Sequence, residues 1–145
     1  DVIHVWGMTQ FPISSEATTI VDYMVHEGKL LCFCEALMPE MADTLLTGFS
    51  VRQLKWCVKN EHQMWNYLIE NKLLFSTRQM DIVRYINDGP TTNGFPPESP
   101  GRTGVWLGWQ IVRSYLKNHP EVTLSQLMSD NNYMQILNSS AYAPE

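Results

Sequence analysis

SPGRTGVWLGWQIVRSYL, residues 99–116, decides how the rest of the chain is read. Val105, Trp106, Leu107, Trp109, Ile111, Val112, Tyr115 and Leu116 make the segment apolar nearly all round a helix. A helix with no wet face belongs at the centre of a fold. Gly101, Gly104 and Gly108 interrupt it at spacings of three and four, which place them along one side. Each glycine costs a helix about 1 kcal/mol against alanine. Three of them therefore imply a close approach, either by a neighbouring helix backbone or by a ligand in a cleft.

The remaining segments read as helices joined by loops. Residues 15–38 predict a helix, capped by Ser14 or Ser15 and closed by Pro39. Ser50 and Gln53 form a capping box for a second helix running to about Leu74. A shorter helix is expected over 78–87, and DGPTTNGFPPESPG, 88–101, is a loop by its proline and glycine content. The central helix then covers 101–118 and stops before Pro120. Thr123 and Gln126 cap a short helix, and 130–138 makes another. Only the opening residues, DVIHVW, alternate as a strand would. With no internal repeat and no linker, the expectation is an all-α fold, one helical domain over 1–145.

Of the 145 residues, 44% are hydrophobic and 17% charged, a globular composition. The net charge of −5 argues against a nucleic-acid partner, which requires a concentrated basic face. No apolar run reaches the ~20 residues of a transmembrane helix. The chain opens on Asp1 rather than methionine, which suggests a processed or truncated piece whose targeting segment lay upstream. Cys32, Cys34 and Cys57 lack the second Cys or His pair that zinc spacing requires, and read as small buried apolar side chains.

Two carboxylates fall on apolar stripes. Ile20, Tyr23, Met24, Leu30, Leu31 and Cys34 recur at helical spacing, and Glu27 lies among them. Thr19, Asp22, His26 and Lys29 take the opposite face, so His26 is expected in water, beside Asp22. Glu27 is expected inside, where an isolated charge is costly. It needs a cationic partner, a hydrogen-bond network or a metal. Gly28 beside it again signals a close backbone approach. On the second helix Leu54, Cys57, Val58, Trp65 and Leu68 define the apolar stripe, which includes Glu61. Arg52, Lys55, Lys59, His62 and Asn66 form the wet face. VKNEH, 58–62, departs from the inverted zinc motif H-x-x-E-H at Val58.

Arg102 opposes the dipole of the helix it begins and adds to the anion attraction of the free amides there. It is expected to meet a carboxylate: Glu27, Glu61, or one on a ligand. Gly104, Trp106 and Gly108 are the other candidates for the wall of such a cleft. Arg113 and Lys117 suit the C-terminal end of the helix.

HEGKLL (26–31), LKWCVKNEHQMWNYLIENKLL (54–74), SPGRTGVWLGWQIVRSYL (99–116) and the closing LNSSAYAPE (137–145) together resemble the C-terminal half of the gliding-motility lipoprotein B (GldB) family. The resemblance implies a bacterial cell-envelope lipoprotein, periplasmic or on the outer membrane, whose helical frame is similar to that of zincin-type proteases. It further implies that Glu27 stands where such proteases carry the third zinc ligand, and that the glycine-rich segment walls the cleft. No H-E-x-x-H occurs in the chain, and Val105 and Trp106 fill the place where the related proteases carry a tyrosine. Two functions follow from the resemblance. One is a binding module, non-catalytic on its own, that supports motility or secretion machinery and partners its own upstream part. The other is the C-terminal half of a zinc peptidase whose H-E-x-x-H helix lies upstream, so that zinc is a cofactor of the longer protein and none is held by this chain alone.

Overall fold

The computed structural model describes residues 2–145, with side chains from His4 onward. Nine helices and no strand are found among the described residues. They are α1 (Val2–Gln10), α2 (Ile20–Leu37), α3 (Asp43–Thr47), α4 (Val51–Lys59), α5 (Glu61–Glu70), α6 (Gln79–Ile86), α7 (Thr103–Asn118), α8 (Leu124–Ser129) and α9 (Tyr133–Ser139). The all-α expectation holds. The segment DVIHVW, whose alternation suggested a strand, is helical from Val2, and α1 lays Trp6 in a stack on Phe33 of α2 at 5.6 Å.

α2 and α7 form the central pair, and α1, α6, α8 and α9 pack around α2. The glycines answer the question that segment 99–116 raises. A Cβ on Gly108 would overlap the carbonyl of Met24, and one on Gly28 would overlap the carbonyl of Gly108. Gly104 has the Tyr85 carbonyl of α6 at 2.7 Å from where its Cβ would stand. These residues let three helix backbones meet without side chains between them. Gly101 does the same for the loop, whose other end, Gly89, lies against it.

α2 begins later than expected. Its cap is Thr19, whose Oγ1 accepts from the Asp22 N–H while Asp22 accepts from the Thr18 and Thr19 amides. Asp22 is therefore committed to the cap and does not pair with His26. His26 and Lys29, expected in water, are buried instead. The two-faced reading presumes one exposed flank, whereas α2 is covered on nearly every side. His26 faces the Tyr133 hydroxyl at 3.5 Å, and burial, with the Lys29 charge next, pushes its pKa down to about 4. Lys29 donates to the Met128 and Asp130 carbonyls at the end of α8, and burial lowers its pKa to about 8. A cation there also suits the helix dipole.

The expected helix 50–74 is two. It breaks at Asn60, whose side-chain amide donates to the Trp56 carbonyl at 2.8 Å and competes with the helical ladder. The break shifts the phase of the apolar stripe. Cys57, Trp65 and Leu68 are buried, but Val58 is 67% exposed. All three cysteines are buried free thiols, and burial drives the Cys57 pKa up to about 12. Arg113 does not simply serve a helix end: it pairs with Glu35 of α2 and lies 3.6 Å over the Trp109 ring.

Candidate functional site

One cleft gathers two of the polar groups that the sequence singled out, Glu27 and Arg102. It encloses about 540 Å³ between α1, α2, the end of α6 and the start of α7. His4, Glu27, Asp88 and Arg102 are its polar side chains of most chemical interest, with Met8, Ile86 and Val105 as apolar lining.

Arg102 is built into its place by the loop. Gly89 and Gly101 bring the two ends of segment 88–101 together, and inside it Thr92 donates to the Pro100 carbonyl at 2.7 Å. Asp88 and Arg102 stand immediately outside the two glycines, and Asp88 Oδ1 meets Arg102 Nε at 2.7 Å. Arg102 does not belong to the first turn of α7, as expected, but is its N-cap, with φ 56° and ψ 36°. A left-handed backbone at a non-glycine residue costs on the order of 1–3 kcal/mol and persists only where its surroundings hold it. Here they do so from two further sides. A terminal Arg102 nitrogen donates to the Thr47 carbonyl at the end of α3, and the guanidinium carbon lies 5.0 Å from the Phe49 ring centre.

Glu27 projects from α2 into the same cleft. It is half-buried rather than enclosed. Burial raises its pKa most; the Arg102 charge opposes the rise and the Asp88 charge adds to it. The carboxylate in direct contact with Arg102 is thus Asp88, and Glu27 feels the guanidinium across the cleft. No hydrogen bond or ion pair engages Glu27 among the described residues. His4, from α1, has its pKa lowered mainly by burial, and the Arg102 charge adds to the effect.

The other candidates lie elsewhere. Glu61 accepts a 2.6 Å hydrogen bond from the Tyr142 hydroxyl and helps to strap the C-terminal tail onto α5, away from Arg102. That strap continues through Trp65 beneath Tyr142 and through His62, which bonds the Pro144 carbonyl. Gly104, Trp106 and Gly108 are buried in helix packing and do not line the cleft. Asp88 and His4 are site residues that the sequence reading missed. The available signal for Asp88 was the symmetry of the loop ends, Asp88-Gly89 against Gly101-Arg102.

Among the described residues, existing contacts decide what the cleft offers a zinc ion. Catalytic zinc takes three protein ligands; among the described residues the cleft has Glu27, His4 and Asp88, of which Asp88 is bound to Arg102 and His4 is not without a partner of its own. The guanidinium adds a positive charge that opposes a second cation. Among the described residues no group of three or more His, Cys, Asp and Glu is arranged to hold a metal ion.

The family model described as gliding motility protein GldB matches residues 1–144. No curated protein and no solved structure matches the chain.

Proposed function

The chain belongs to the gliding motility protein GldB family, and on that footing we propose that it is a binding module of a cell-envelope lipoprotein. It supports motility or secretion machinery, is non-catalytic on its own, and reuses the helical frame of a zincin-like C-terminal half to hold a partner. The observation that carries this reading is the pairing of a fixed cation with an unengaged acid in one cleft. Arg102 is immobilised by Asp88, Thr47 and Phe49, so it cannot swing to a substrate without breaking its contacts. Glu27, opposite, has its hydrogen-bonding capacity free among the described residues. An unengaged, half-buried acid beside apolar lining suits recognition of an amide or cationic group, where a hydrogen bond to a charged group contributes about 1.5–3 kcal/mol. The upstream part of the protein and the envelope motility or secretion proteins are the partners that this reading names.

Zinc stoichiometry tests the non-catalytic half of the proposal. The measurement is made on the longest purified precursor, beside Glu27→Ala. The expected result is the same substoichiometric zinc in both proteins. Near one zinc per chain, lost in the variant, would make Glu27 a ligand and turn the reading toward a peptidase completed by upstream residues.

A further inference from the structure

Helix α4 presents a surface that neither the core nor the cleft explains. Its outward stripe runs Val51, Leu54, Lys55, Val58 and Lys59, at the spacing of a single helix face. Val51 and Val58 are 58% and 67% exposed. The chain carries a net charge of −5, yet α4 has three cations, Arg52, Lys55 and Lys59, and no acid. None of the three makes an ion pair among the described residues. A groove runs beside that face. Arg52, Lys55, Trp56 and Lys59 form one wall of an open groove of about 750 Å³, and Pro90, Pro97 and Glu98 of the long loop form the other, so that three cations face one acid. Lys55 and Lys59 are the ridge between this groove and the apolar depression of Val51, Leu54 and Val58.

We propose that this surface is the docking site for an acidic, amphipathic segment of a partner protein. Its carboxylates meet Arg52, Lys55 and Lys59, and its apolar side chains cover Val51 and Val58. Unpaired cations on an otherwise acidic chain select the sign of the partner. The groove selects its form, since its two walls receive a peptide segment along Arg52, Trp56 and Lys59, and Val51 and Val58 beyond the Lys55–Lys59 ridge take that segment's apolar flank. The surface shares no residue with the Glu27 cleft, so the inference stands apart from the function proposed for that cleft.

The probe is a fluorescent amphipathic helical peptide of Glu and Leu, titrated into the purified chain and followed by anisotropy. The wild type is compared with the K55E/K59E double variant and with Val58→Ser. Both lysines and Val58 are exposed, and unchanged helical circular dichroism verifies that the variants fold. The expected result is saturable binding that K55E/K59E weakens tenfold or more, that Val58→Ser weakens less, and that added salt weakens. Equal binding by wild type and double variant, or none by the wild type, would overturn the proposal. So would capture by phosphatidylglycerol vesicles that the double charge reversal abolishes while the peptide is ignored, since that result assigns the face to a lipid surface. A salt-sensitive dimer of the chain alone, lost in the double variant, would assign it to a second copy.

Discussion

Gly28 of α2 and Gly108 of α7 lie backbone to backbone where the two central helices cross, and neither position has room for a Cβ. The contact sets the distance between the helices that carry Glu27 and follow Arg102, so it fixes one dimension of the cleft.

Gly108→Ala should therefore be severely destabilising. Its Cβ meets backbone, which cannot rotate away, and overpacking of a filled core costs about 3 kcal/mol or more at an unyielding site. Gly7→Ala on α1 is the control. The nearest atoms there are the flexible side chains of Leu30 and Phe33 at 3.4 Å, and removing a mid-helix glycine favours the helix by up to ~1 kcal/mol. Urea unfolding of the two variants should shift in opposite directions.

Acid should unfold the protein in part through His26. Its folded pKa of about 4 lies below the ordinary 6.5, so the folded state resists protonation that the unfolded chain accepts. The associated stability is present in full above pH 6.5 and is lost as pH falls toward 4, an amount of about 3 kcal/mol. His26→Gln should flatten that part of the curve relative to wild type. Parallel stability profiles between pH 7 and 4 would refute the assignment.

The two partners in the Asp88–Arg102 pair should respond unequally. The Asp88 side chain is 91% exposed, so Asp88→Ala is expected to cost less than ~1 kcal/mol and to matter less as salt rises. Arg102→Ala also removes the bond to the Thr47 carbonyl and the contact with Phe49, and should cost about 2 kcal/mol. Thermal unfolding of both variants, in low and high salt, checks the order.

Much of this arrangement was legible in the residues, and its failures have a common cause. Ser50–Gln53 and Thr123–Gln126 form capping boxes where the spacing placed them, because a cap is satisfied within four residues. The start of α2 was not legible, since Ser14, Ser15, Thr18 and Thr19 all compete for it. The Ile20 and Val21 amides bond to Ser76 and Leu74, and these distant carbonyls favour the last of the four. His26 and Lys29 went inside for the same reason: their covers, Tyr133 and the end of α8, lie about a hundred residues downstream. At the cleft, Glu27 and Arg102 stood out as an acid on an apolar stripe and a cation at a helix start. Asp88 did not, because its role depends on a loop closure that pattern alone does not reveal.

Glu27→Gln is the variant that isolates the site from the fold. Among the described residues no bond is lost, and the raised pKa fixes the sign of any change in stability. The cost of burying the charge is absent in acid, below the unfolded pKa, and complete once pH has risen through the folded one. Glutamine removes it, so the variant should equal or exceed the wild type in stability at neutral pH.

Gliding by bacteria that lack their own family member and carry the Glu27→Gln protein is the most direct test of the central claim. With the protein present at normal abundance and folded, the account predicts that gliding is lost, because the acid in the cleft engages a partner. Gliding at the wild-type rate would contradict it and leave Glu27 without a functional role.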